Sequence, residues 1–242
     1  MIQIRYFCII LRYCQNKVQV VHLFHIIHEE FHFVKQSCPM NEKKHPQSKI
    51  TEQIAEIIRI VTVPPVITAA LLTVILLFST NFGFRLIDYH VLSGCLSIIP
   101  ICVYPLCRAV PSLKEKGRNG ERKLAFVFNL IGYGVCFVFG AFSSNKNITL
   151  LATTYFISVI ILTVLNKLLH IRASGHAASS FMPCVFSVIY VGAAAFSSFV
   201  ILFIGSVWSS LYLKRHRLTD IIAGVLSATV SFGIAFTIKI IF

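Results

Sequence analysis

Acidic side chains are scarce in this sequence: nine Asp and Glu stand against 22 Lys and Arg in 242 residues. Charge of either sign is thin as well, 13% of residues, where a soluble domain carries about 25%. From Ala177 to Leu213 there is none at all. A soluble globular fold is excluded by that shortage, because its surface has to be polar. No carboxylate pair and no thiol cluster is available to hold a catalytic metal, so no metal or other cofactor is expected. Paired thiols are missing too. The eight cysteines (8, 14, 38, 95, 102, 107, 136, 184) contain no CxxC pair, and five lie inside apolar segments. They read as small core residues, not as a zinc cage or a disulfide framework.

What is present is apolar. Hydrophobic residues make up 56% and the mean hydropathy is +0.79. The expected class is an all-α, polytopic membrane bundle, since only helices and closed barrels satisfy their backbone in lipid. A span needs about 20 apolar residues. Ile60–Thr80, Tyr89–Cys107, Leu124–Phe142 and Ile148–Leu165 each qualify, and Pro64-Pro65 stands near the start of the first, where proline is tolerated. As one helix, Ala177–Leu213 would run about 55 Å, against a hydrocarbon core of about 30 Å. Two shorter helices turning near Ala195–Ser198 are expected instead. Leu218–Phe242 brings the total to about seven transmembrane helices.

The net charge of +13 sits between these spans, where it sets topology and attracts anionic headgroups or phosphates; nucleic acid is not the expected partner. Residues 41–59, 108–123, 166–176 and 214–217 hold fifteen cations, and the opposite side holds only Arg85, Lys146 and Lys239. The basic loops are therefore expected in the cytoplasm, the chain in the cell membrane. Residues 1–39 differ in composition and carry His22, His25, His28 and His32 on one helical face. No Cys or Asp completes a metal site there, so this stretch is expected to be a leader, poorly ordered or an upstream extension of the reading frame. Residues 40–242 are then the integral-membrane domain.

Two motifs at the ends of the charge-free run concentrate the chemistry. Ala173-Ser174-Gly175-His176 precedes it, and Lys214-Arg215-His216-Arg217-Leu218-Thr219-Asp220 follows it. His216 and Asp220 are four apart, so on a helix they share a face and the carboxylate can accept from the imidazole. Taken alone, Lys214, Arg215 and Arg217 form a positive-inside anchor, and His176 is a helix-start histidine without a role. Taken together with Arg172, Lys167, Arg118 and Arg122, the histidines make a phosphate site. Guanidinium groups match phosphate bidentately. The Ser174 hydroxyl and the free N–H groups at a helix start add donors. One histidine would attack phosphorus while the other protonates the leaving alkoxide.

The pair of motifs resembles the type-2 phosphatidate phosphatase superfamily, whose pattern is a lysine/arginine motif, then (P)SGH, then SRxxxxxHxxxD. Ala173–His176 corresponds to the second motif and Ser209–Asp220 to the third, and the resemblance covers about residues 54–242. It implies a six-helix phosphatase-like core and metal-free hydrolysis of a lipid or isoprenoid phosphate or diphosphate. It also implies a phosphohistidine intermediate, with His216 the nucleophile, Asp220 its orienting partner and His176 the general acid. Ser174 and Gly175 would cradle the phosphate. Two positions depart from the pattern: Ala173 replaces the proline, and Ser210 replaces the third-motif arginine. The first motif has no clear counterpart; Arg172, Lys167, Arg118 and Arg122 are its candidates. Losing one anion-stabilising donor costs about 10²–10³ in rate. The alternative function is accordingly a weak or inactive relative that binds phospholipid or scaffolds partners.

Overall fold

The computed structural model describes residues 46–110 and 117–241. All regular structure among them is helical. Two compact units divide the chain, Met1–Ile60 and Val61–Phe242. The leader expected at residues 1–39 lies outside the described residues.

In the first unit, α1 (Pro46–Val61) places Ile50, Ile54 and Ile57 on one face, all well exposed. The second unit contains α2 (Pro64–Phe78), α3 (Leu86–Ser93), α4 (Ile99–Ile101), α5 (Val103–Ala109), α6 (Gly117–Ala141), α7 (Lys146–Thr163), α8 (Gly175–Tyr190), α9 (Ala193–Tyr212) and α10 (Leu218–Ile241). A π turn at Gly94–Ile98 joins α3 to α4, and a second at Val164–Leu168 extends α7. Pro64 and Pro65 fill the first positions of α2, where a missing N–H costs nothing. Asn145 caps α7 by accepting the Asn147 N–H at 2.9 Å.

Five segments are long and apolar enough to cross a membrane: Leu86–Cys107, Lys123–Ala141, Lys146–Leu168, Ala193–Tyr212 and Leu218–Ile241. Counting the pair 49–61 and 64–78 as one broken span makes six. The charge-free run does divide into two helices, but the break is at Val191-Gly192, not near Ala195–Ser198. Gly192 has φ of +119°, a conformation that side-chain-bearing residues rarely adopt, so the turn sits on a glycine. The result is a 16-residue α8 and a 20-residue α9. Only α9 has the length to span by itself.

The bundle is apolar on its outside, and its interior mixes large apolar side chains with small polar ones. Ile201, Ile204, Leu226 and Val230 face outward, at least half exposed. Ser180, Ser187, Ser206, Ser227 and Ser231 are buried among the helices. Lipid tails reward no burial of leucine, so close packing and interhelical hydrogen bonds between such serines help to hold the helices together. Ser180 and Ser206 make such a bond at 3.2 Å between α8 and α9. A larger apolar cluster around Leu71, Leu96, Tyr155, Met182 and Phe186 fills the centre. Helix α8 packs against α2, α9 and α10, while α7 packs against α6 and α10.

Candidate phosphate-binding site

Both sequence motifs lie at one end of the second unit, because α8 and α10 begin there. Their starts are tied by backbone: the Ser174 N–H donates to the Asp220 carbonyl at 2.8 Å. Gly224, one turn into α10, lets the helices approach this closely, since a Cβ there would collide with the Ser174 carbonyl oxygen. Asn166 holds the other side of the same turn. Its amide donates to the Ala173 carbonyl at 3.1 Å and accepts the Ala173 N–H at 3.1 Å. It also donates to the Leu162 carbonyl at 2.8 Å, anchoring the turn to α7.

The α9–α10 connection is built by a reversal at Lys214, which has φ of +51°. A left-handed residue just past a helix C-terminus folds the next N–H groups back onto orphan carbonyls. Here Arg215 and His216 donate to the Ser210 carbonyl at 3.0 and 3.5 Å. Helix α10 then starts with Asp220 in its first turn, where Oδ2 accepts the Arg217 N–H at 3.1 Å. A carboxylate there also opposes the positive end of the helix dipole.

The same oxygen gathers the chemistry. His216 Nδ1 lies 3.5 Å from Asp220 Oδ2, and Arg172 Nε lies 3.9 Å from it. The Asp220 side chain is 5% exposed, His216 16% and Arg172 61%. Nδ1 makes no hydrogen bond across that gap, so the contact with Asp220 is one of charge proximity. Arg172, Leu211, Lys214, Arg215, His216 and Arg217 line a concavity of about 430 Å³. Four cations and an imidazole are thus gathered around one open space.

The remaining expected residues are placed differently. Ser174 is buried and its hydroxyl oxygen accepts the Ala177 N–H at 3.2 Å, so it serves first as the N-cap of α8. Gly175 opens that helix but does not line the concavity. Lys167 is exposed and reaches over the Phe126 ring, 6.0 Å from its centroid, away from the lining residues. His176 is half-buried outside the lining set, with Nε2 3.3 Å from the Thr62 hydroxyl. Arg118 and Arg122 fall in α6, and their side chains lie outside the described residues. Ser210, where the resemblance calls for arginine, is 3% exposed. Asn166, Thr62 and Gly224 were not singled out by the sequence; the only hint for Asn166 is an amide at the end of an otherwise apolar run.

Comparison with protein-family models, with curated proteins and with solved structures gives no match for this chain.

Proposed function

We propose that the chain is a metal-independent membrane phosphatase, a divergent member of the type-2 phosphatidate phosphatase superfamily. Its substrate is a lipid or isoprenoid phosphate or diphosphate. The observation that carries this reading is the His216–Asp220–Arg172 cluster, set beside a concavity with a rim of cations. In the first step, the His216 Nε2 lone pair forms a bond to phosphorus as the bond to the leaving oxygen breaks. His176 gives that oxygen its proton. In the second step, water attacks phosphorus, its proton passes to His176, and the electron pair of the N–P bond returns to Nε2. Asp220 holds His216 in the tautomer that keeps Nε2 unprotonated. Arg172, Lys214, Arg215 and Arg217 stabilise the charge on the transferring group, and Arg172 does so without leaving its place beside Asp220.

In the proposed topology seven helices cross the membrane and both motifs face the cytoplasm. A 16-residue α8 is about 24 Å long at 1.5 Å per residue. That is shorter than a hydrocarbon core of about 30 Å, so with its far end at the opposite interface the SGH turn would lie just beneath the headgroups, next to a lipid phosphate. Ser210 favours a second reading: a weak or inactive relative that binds phospholipid, because one guanidinium of the pattern is replaced by a buried hydroxyl. Phosphate release by the purified chain from a panel of lipid and isoprenoid phosphates separates the two. Release from at least one substrate is expected. Binding of anionic lipid with no release from any of them would favour the second reading.

A further inference from the structure

Unlike His216 and the four cations, His176 does not line the concavity, so something has to set the direction of its ring. Its Nε2 stands 3.3 Å from the Thr62 hydroxyl. Thr62 is 1% exposed and immediately precedes Val63, the N-cap of α2, so its position is fixed by the proline-started helix that follows. Helix α2 in turn packs directly on α8, the helix that carries His176. The α8 side of the contact is fixed as well: the Ser180 hydroxyl donates to the His176 carbonyl at 2.7 Å, and Ser180 also bonds Ser206 of α9.

We infer that Thr62 is a positioning residue for His176, holding the imidazole by Nε2 throughout a proton-transfer cycle. This rests on the proposed role of His176 as general acid and adds a residue to it. The chemistry of the partner is what makes the assignment. A neutral hydroxyl oxygen accepts the Nε2–H without adding, as a carboxylate would, a charge beside the ring. When the ring is protonated, Nε2–H donates to Thr62 Oγ1. The proton given to the leaving oxygen is the one on Nδ1, so Nε2 keeps its hydrogen and its bond to Thr62 after the transfer, and water later returns a proton to Nδ1. Contact is kept in both states, so the ring does not swing between the two steps. An error of about 1 Å in a reacting group can cost about 100-fold in rate. A buried hydroxyl 114 positions away in sequence is a specific way to prevent it.

The test uses the full chain in lipid nanodiscs, with 15N-histidine labelling and the His176 signals assigned by comparison with His176→Gln. Thr62→Val removes the hydroxyl at nearly constant volume, and Thr62→Ser keeps the hydroxyl while removing the methyl. The expected result is a changed His176 Nε2 shift in Thr62→Val and a wild-type shift in Thr62→Ser. Turnover of the best lipid phosphate should fall about ten- to a hundredfold in Thr62→Val with KM little changed, and return in Thr62→Ser. An unchanged His176 spectrum in Thr62→Val would overturn the assignment. So would a Thr62→Ser spectrum displaced as far as that of Thr62→Val, since the methyl would then be the group that matters. If Thr62→Val does not fold, Thr62→Ala replaces it with the same criteria. The spectra read the contact even in a chain that releases no phosphate, so failure of the enzymatic reading is seen separately, in the wild type.

Discussion

At one end of the second unit, Lys239, Asn147 and Tyr190 direct their polar atoms at one another; at the other, Arg172, Lys214, Arg215 and Arg217 surround open space. In the first group, Lys239 Nζ donates to Asn147 Oδ1 at 2.6 Å and to the Tyr190 hydroxyl at 3.2 Å, and that hydroxyl donates to the same Oδ1 at 3.0 Å. The Asn147 amide donates to the Asn81 and Phe82 carbonyls, both at 3.1 Å. Asn145 donates to the Phe82 and Gly83 carbonyls, both at 2.9 Å. Phe82 is fully buried beneath this lattice, edge-on to Tyr190. The loop before α3 is thereby fastened to the start of α7 and the ends of α8 and α10. A cation is used there as a structural donor. At the motif end, the four cations line a concavity beside which, among the described residues, Asp220 is the carboxylate in an ion pair, and two side chains share a single oxygen of it. Positive charge left over around a cavity is what an anion-binding site requires, and a closed network is what a fastening requires.

The contrast can be broken most severely at Asp220. Asp220→Asn keeps the shape but leaves His216 Nδ1 and Arg172 without a charge to face. Turnover is expected to fall about 100-fold or more, with lipid binding retained, in steady-state assays. At the fastened end the consequences should be the reverse. Asn147→Ala removes several hydrogen bonds at once and should lower stability by about 2–3 kcal/mol, seen as a lower melting temperature. Turnover per folded molecule should be that of the wild type. An Asn147→Ala chain that melts normally but turns over slowly would mean that the two ends are coupled. The smallest effect is expected at Ser210. The position is 3% exposed, so Ser210→Arg inserts a long side chain into a packed helix end. A destabilisation of about 1–3 kcal/mol is expected, with no gain in turnover. A faster enzyme would show instead that the guanidinium reaches the concavity.

Much of the helical layout was legible in the sequence, because charge and turn chemistry mark where spans stop. Pro64-Pro65 starts α2, and the basic knot at 214–217 separates α9 from α10. The turn inside the charge-free run was misplaced by several residues. Ala193 to Ser198 looks loop-like by composition, yet alanine is the best helix former, and the break fell to Gly192, the residue able to take φ of +119°. The π turns at Gly94–Ile98 and Val164–Leu168 have no sequence signature of comparable strength. At the site, the spacing of His216 and Asp220 suggested one helical face, but His216 precedes α10, and the reversal at Lys214 is what brings its Nδ1 to 3.5 Å from Asp220 Oδ2. The Ser174 hydroxyl was expected to face an anion, but the geometry of an N-cap turns it toward Ala177 N–H. Lys167 was expected at the site, yet its side chain lies over Phe126. Thr62 meets His176 across 114 positions, a pairing of which a single sequence read by spacing carries no trace, whereas Asn166 bonds nearby Leu162 and Ala173 with no motif to mark it.

The claim on which the account depends is that His216 becomes phosphorylated. It is tested most directly by quenching the purified chain during turnover of a phosphorus-labelled lipid phosphate and locating the label by peptide mapping. The account predicts an acid-labile, base-stable label on His216 that disappears in His216→Ala together with phosphate release. Label on another residue, or release that persists in His216→Ala, would contradict it.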